Sequence, residues 1–475
     1  MQLLKRLTTI IILLPICIIQ SQTTIYTLDK AIETALERNR DIMIAMMNVY
    51  KSEAAVDEAF GYALPTLDLS ASASHFLMKP KMAFPDFTAL LTNATYDILF
   101  DENVIPRDED KYLPLSSKLQ SFAQSNSFET KAEITQILFN SAVFTGIGAS
   151  KIYLDLSKVQ LRSVVSKIIL DTKIAFYRVL LAKELLGIME ASLQNAEDNF
   201  NSVKILNEKG LTSDFDVLQV NVRVENLRPV VTELKNALEN AKNGFKIILN
   251  LDQSEPLDVE GEFYYNEEQL PDDSESIETA LNSNLDIQTM TVKKQVDKEM
   301  IQIEKSDYWP TVAAFGNFLY AGSSDEFDFQ TYNSSMVGLG LTFNIFRGGQ
   351  VSNRVQQAEI NMMQSEQNIV ILKDLITIQV KNQLLELEKT KIHIVALNQN
   401  VNLAEKAYEI STTRYQEGTG TQLEIKNADL ELRNARITRI KSVHDYIIAK
   451  AKLDNLLGKI EENKMYQINK KVENH

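Results

Sequence analysis

The two halves of this chain repeat one another, and the repeat constrains its architecture more than any other feature. Thr34-Ala35-Leu36, Asn39 and Asp41-Ile42 recur as Thr279-Ala280-Leu281, Asn284 and Asp286-Ile287, each pair 245 positions apart. Pro65-Thr66 recurs as Pro310-Thr311 at the same offset. Further along the offset falls: Phe139 matches Phe346 at 207, and Gly210 matches Gly418 at 208. A fall from 245 to 208 gives the first copy 37 residues that the second lacks, placed between Pro65 and Phe139. That segment carries Pro80, Pro85, Pro106, Pro114 and the acidic run Asp108-Glu109-Asp110, and reads as a long solvated loop over 76–126.

Proline usage marks two long helices. Apart from Pro229, no proline occurs between Pro114 and Pro256, and none follows Pro310. The spacing predicts helices over Ser141 to Asn207 and Gly349 to Gln416, each roughly 100 Å at ~1.5 Å per residue. Each turns at a glycine and returns through a second helix, Ser213 to Asn250 and Thr421 to Leu457. Val351, Val355, Ala358, Met362, Ile369, Leu372 and Ile376 follow 3-and-4 spacing with polar residues between, as coiled coils do. Such a stripe needs neighbouring helices alongside. Pro229 should interrupt the first return helix; its counterpart 208 positions on is Ile437, so the break is in one copy only.

Alternating segments precede each long helix: Leu67 to Ser74, Phe128 to Thr135, Thr311 to Tyr320 and Met336 to Phe346. The third is apolar but alternates poorly. About ten residues with one apolar and one polar face suit a transmembrane barrel with a wet lumen, or a soluble sheet packed on a core. Tyr308, Trp309, Tyr320 and Phe346 lie near strand ends, as aromatic girdles do. Four strands cannot close a barrel, since the smallest have about eight. If these strands span a membrane, several chains must share one barrel.

Lys5 and Arg6 followed by an apolar run to Ile19 read as a secretory signal, cut after Ser21. An uncleaved anchor, or lipidation at Cys17 after Ile16, are the alternatives. Cys17 is the only cysteine, so a processed chain has no disulfide, thiolate site or thiol nucleophile. Residues 1–21 hold two of the 49 bases and none of the 64 acids, leaving 47 against 64, a net −17. That balance, without basic patches, argues against nucleic acid. His75, His393, His444 and His475 lie far apart and read as exposed or satisfied side chains. No run after residue 21 reaches the ~20 apolar residues of a spanning helix. No phosphate loop, hydrolase elbow or metal motif appears, so neither an enzyme nor a cofactor is expected.

The expected layout is a signal at 1–21, a first repeat at 22–252 (helix, strand pair with the long loop, helical hairpin), a linker at 253–274, a second repeat at 275–458 and a tail at 459–475. The fold class is mostly α with a small β part. Four transmembrane strands join very long helical hairpins in two repeats.

With this doubled layout, the Pro-Thr motifs and the tip motifs Glu208-Lys209-Gly210-Leu211-Thr212 and Tyr415-Gln416-Glu417-Gly418-Thr419, the chain resembles the TolC-type outer-membrane efflux proteins over essentially its whole mature length. The resemblance implies a homotrimer with a shared twelve-stranded barrel in outer-membrane lipid and a helical periplasmic tunnel. It also implies a periplasmic adaptor (membrane fusion protein) docked at tips around Gly210, Leu211, Gly418 and Thr419, an inner-membrane pump, and a porin-like channel function in efflux or type I secretion. Asp216 and Glu424 match the family's gate-proximal acids, and Tyr415 an aromatic that helps hold the closed gate. Gly420 stands where some relatives carry an arginine, and Asn427 where some carry a further acid. Ser213-Asp214-Phe215-Asp216 and Thr421-Gln422-Leu423-Glu424 also fit capping boxes, so both acids have a local reading beside the gate reading. A periplasmic coiled-coil adaptor or scaffold is the alternative function; it would show one long hairpin between β domains, where this chain has two.

Overall fold

The computed structural model describes residues 23–265, 267 and 269–459. The signal segment with Cys17, and the tail beyond Lys459, lie outside the described residues. The chain opens with β1 (Thr24–Tyr26), α1 (Leu28–Arg38), α2 (Arg40–Gly61) and β2 (Thr66–His75). Then come β3 (Met82–Pro85), α3 (Phe87–Asp101), β4 (Ser117–Gln120) and β5 (Asn126–Phe139). The first helical hairpin is α4 (Ser141–Glu208) and α5 (Asp214–Leu249), followed by β6 (Leu257–Val259). The second half runs α6 (Asp273–Ser283), α7 (Leu285–Lys305), β7 (Thr311–Ser324), β8 (Gln330–Thr342), α8 (Gln350–Gln416) and α9 (Gln422–Leu456). The chain forms two compact units, one of residues up to 54, 151–297 and from 360 on, the other of 55–150 and 298–359.

In the first unit the repeated asparagine explains itself. Asn39 Oδ1 accepts from the N–H groups of Asp41 (2.9 Å) and Ile42 (3.4 Å), capping α2, while its Nδ2 donates to the Ile248 carbonyl (2.9 Å) at the end of α5. Asn284 does the same for α7: it accepts from Asp286 (3.0 Å) and Ile287 (3.2 Å) and donates to Leu456 O (3.1 Å) at the end of α9. One side chain thus ends one helix, starts the next and ties both to a hairpin. Each half has its own core. One gathers Ile32, Ile42, Val165, Phe176, Val179 and Phe245; the other gathers Ile287, Ile376, Val380, Leu384, Val443 and Leu453. The expected linker is ordered where β6 pairs parallel with β1 and Phe263 sits between the rings of Tyr177 and His444. Pro229 does not interrupt α5, which is continuous from Asp214 to Leu249. The proline lies on an exposed face, where water can satisfy the carbonyl that loses its donor.

In the second unit β2, β5, β7 and β8 form one antiparallel sheet in that order. The ladder keeps Leu67, Ile134, Gly316 and Val337 in one row, and Asp68, Glu133, Asn317 and Met336 in the next. Leu67, Leu69, Ile134, Phe318, Val337, Leu339 and Leu341 therefore share a face, while Asp68, Glu129, Lys131 and Glu133 share the other. The poor alternation in β7 comes from Phe315, an aromatic on the polar face. It lies over Gly338, where an added Cβ would stand 2.7 Å from Phe315 Cζ. The missing side chain on one strand makes room for the ring of its neighbour.

Three strand expectations change. β5 reaches from Asn126 to Phe139, well beyond 128–135. β8 ends at Thr342, leaving Phe343 to Phe346 outside the ladder, because its partner β7 begins at Thr311 directly after Pro310. The segment expected as a loop is folded: β3 and β4 pair, and α3 packs beside them. Asp86 caps α3 by accepting from Thr88 and Ala89, and Asn93 exchanges two hydrogen bonds with the Leu113 backbone (2.8 and 2.7 Å).

Candidate functional site

The two hairpin tips are built alike and locked differently. Gly210 and Gly418 hold φ of +72° and +75°, a left-handed conformation that glycine adopts without strain. Leu211 N–H donates to Leu206 O (2.9 Å), and Thr419 N–H to Arg414 O (2.9 Å), closing the ends of α4 and α8. At the first tip the capping box is complete. Ser213 Oγ accepts from Asp216 N–H (3.2 Å), and Asp216 Oδ2 accepts from Ser213 N–H (3.3 Å), Ser213 Oγ (2.7 Å) and Thr212 Oγ1 (2.8 Å). The Ser213 and Thr212 hydroxyls hold the Asp216 carboxyl below its ordinary pKa. At the second tip only half the box forms. Thr421 Oγ1 accepts from Glu424 N–H (3.3 Å), but the Glu424 carboxylate turns to Arg414 (3.5 Å). There the Coulomb attraction of the Arg414 guanidinium stands in place of the backbone hydrogen bond that completes the first box.

The other exposed feature is the apolar sheet face. Val337 is 87% exposed and Leu67 77%. A bare apolar patch of this kind marks a surface meant for lipid or another protein. None of the described helices is long and apolar enough to cross a membrane.

Comparison with known proteins places these features. Residues 276–459 match the family model described as outer membrane efflux protein. The chain is 21% identical over 364 residues to outer membrane protein TolC of Salmonella enteritidis, covering 72% of each. The Campylobacter jejuni CmeC outer membrane channel shares its fold with a TM-score of 0.74 at 16% identity, over 94% of this chain and 89% of that one. The Vibrio cholerae outer membrane protein VceC gives 0.70 at 15%, over 91% and 96%. The chain is similar to the TolC-type outer-membrane efflux proteins. Its location is the outer membrane, and its work is transport.

The residues singled out by the resemblance fall at the two tips. Tyr415 is half-buried in the last turn of α8, next to Arg414, and Asn427 is exposed three residues beyond Glu424 on α9. Leu211 and Thr419 are exposed beside their glycines. Gly420 could not carry an arginine in this conformation, since its Cβ would stand 2.9 Å from Tyr415 N and 3.1 Å from the Arg414 carbonyl carbon.

The sequence reading missed the strongest polar link near the tips. Arg223 on α5 is ion-paired with Asp429 on α9, their side chains only 12% and 6% exposed. Ser192 Oγ on α4 adds a hydrogen bond to Asp429 (3.3 Å). Nearby Asn199 and Gln422 exchange amide hydrogen bonds (2.8 and 3.3 Å). These contacts join the first hairpin to the second. Their residues lie 206 and 223 positions apart in sequence, so no local pattern reveals them. Also missed was an exposed apolar stripe of Phe215, Leu218 and Val222 on α5. With Leu430 and Arg433 on α9 it lines a groove of about 420 Å³.

Proposed function

We propose that three copies of this chain share one twelve-stranded barrel, and that the duct they enclose carries solutes or proteins outward from the periplasm. The sheet carries this reading. Its apolar face is bare, its opposite face holds Asp68, Glu129, Lys131 and Glu133, and β2 and β8 are edge strands. Four strands are too few to close a barrel, and open edges are not tolerated in lipid. Other copies are the natural partners. The α8 surface supports the same conclusion: Ile371, Ile378, Leu385 and Ile392 recur every seven residues and are all exposed. This is a second coiled-coil seam, separate from the buried Ile376, Val380, Leu384 and Leu387.

The duct is passive. It performs no chemistry of its own and belongs to a tripartite efflux or type I secretion system. A periplasmic adaptor docks at the tips around Gly210, Leu211, Gly418 and Thr419, and an inner-membrane pump supplies the energy. The same tips form the periplasmic gate. Glu424 sets its negative charge, Asp216 holds the first tip in shape, and Tyr415 and Asn427 flank the second. Six carboxylates from three copies around a narrow opening would favour cations.

Outer-membrane fractions should yield a trimer that dissociates only on heating, and the purified protein should form cation-selective channels in planar bilayers. A soluble periplasmic monomer would overturn the reading.

A further inference from the structure

Between β2 and β5 the first half carries a module that the second half lacks. The corresponding connection between β7 and β8 spans only 325–329. The module is pinned to the sheet at its base. Phe76 N–H donates to Ser125 O (2.8 Å), and His75 Nδ1 lies 2.7 Å from Asn126 Oδ1. Asp325, in the short β7–β8 turn, accepts from Ser125 N–H and Oγ (2.7 and 2.8 Å) and pairs with Lys79. The interior is also fixed. Phe84 packs edge-on to Phe122 (4.6 Å), Phe100 meets Tyr96 and Tyr112 (5.8 and 5.9 Å), and Lys118 pairs with the Asp86 cap.

This folded module leaves two apolar patches bare, one on α3 and one on the β3–β4 pair. On α3, Phe87, Leu90, Leu91, Ala94 and Ile98 follow helical spacing and are exposed, while Ala89 and Phe100 face inward. On the β3–β4 pair, Ala83 and Leu119 are register partners and both exposed, with Leu115 just ahead of β4. Two different patches on one module are what a head-to-tail ring requires, because a cyclic contact joins unlike surfaces of successive copies. Position agrees. The module grows directly from β2, an edge strand of the sheet, so it lies at the seam where another copy must add its strand. Charge argues against a lipid surface as the occupant. The rest of the module exposes Asp97, Asp101, Glu102, Asp108, Glu109 and Asp110 against Lys81, Arg107, Lys111 and Lys118, a net negative charge that an anionic headgroup layer would repel.

We propose that the α3 stripe of one copy docks on the β3–β4 patch of the next, so that the modules form a ring at the outer mouth of the duct. This rests on the shared-barrel reading above and goes beyond it. The test is cysteine cross-linking in intact cells, where Cys17 is the chain's only native cysteine. Leu91→Cys combined with Leu119→Cys in one chain, treated with a short bis-maleimide, should shift the bulk of the protein to cross-linked dimer and trimer that survive heating. Either substitution alone should leave it monomeric after heating, because like residues do not meet in a ring. Unheated samples report the trimer independently. A trimer without module cross-links overturns the ring alone, whereas no trimer and no cross-links overturns both readings. Dimers from Leu91→Cys alone would replace the ring by a symmetric contact. Labelling of Leu91→Cys by a membrane-soluble maleimide without cross-links would assign the stripe to lipid.

Discussion

Removing Arg223 should loosen the junction of the two hairpins more than any other single change near the tips. Its partner Asp429 is 6% exposed and keeps only the Ser192 hydroxyl when the guanidinium goes. Tyr408 lies close enough that burial and the Asp429 charge together raise its pKa, with Arg223 opposing. That neighbour offers the stranded carboxylate no positive charge. Breaking a buried ion pair from one side costs about 3–5 kcal/mol, because a charge stays buried without compensation. At ~1.4 kcal/mol per factor of ten this is roughly two to three and a half orders of magnitude in the local opening equilibrium.

Arg223→Met keeps much of the stem that lines the α5–α9 groove and removes the charge. Hydrogen exchange of the amides around Val220 to Leu227 on α5 and Ile425 to Leu432 on α9 should accelerate by that factor, while the strand amides of β5 and β7 keep their rates. The double variant Arg223→Met with Asp429→Leu removes both charges and should recover most of the protection, since an apolar replacement of a buried pair is often neutral or better. Acceleration below tenfold in Arg223→Met would refute the reasoning, as would a double variant no better protected than the single one. Either result would mean that water reaches the pair.

Asn39→Ala and Asn284→Ala should each cost about 1–2 kcal/mol in denaturant titration, through a lost cap and a lost tie to the hairpin end, and near-equal losses are expected because their bonds correspond one for one. Glu424→Gln should lower cation selectivity in bilayers, and Asp216→Asn should lower it too while also loosening the first tip, whose cap it removes. Because the Asp216 carboxyl is held below its ordinary value of 3.8, its cap is intact above that value and is lost as pH falls through the lowered one, which exchange of the Ser213 and Asp216 amides at pH 5 and below will show. Leu339→Arg on the bare sheet face should cost about 2–4 kcal/mol of membrane insertion and reduce the heat-labile oligomer on gels.

What could be read from the sequence was whatever depends on nearby residues. The four long helices end within a residue or so of their expected limits because glycine turns and Ser or Thr caps set them locally. β2 was clear because Leu67 to Ser74 alternates without exception, and β7 was not, because Phe315 serves a glycine on another strand. The module was hidden by its prolines. Pro85 and Pro106 bracket a helix whose cap, Asp86, and whose tie, Asn93 to Leu113, need the fold to become visible. The box at Glu424 is only half formed for a similar reason: a box is a local pattern, but Arg414 arrives from the other arm of the hairpin. The second α8 seam was legible and overlooked, since a strict seven-residue spacing of Ile371, Ile378, Leu385 and Ile392 needs no structure to see.

The tips therefore differ in what can release them. The first is held by hydroxyl and amide donors on one carboxylate, and such bonds are little affected by salt. The second relies on an exposed Arg414–Glu424 contact, which ions of the medium screen over a Debye length of about 8 Å at physiological strength. The buried Arg223–Asp429 pair is shielded from that screening and couples the two hairpins. Raising salt should thus free the second tip first and leave the junction intact. In the proposed gate, moving the two hairpins apart would separate Arg223 from Asp429, so this buried pair is the contact that opening would have to overcome.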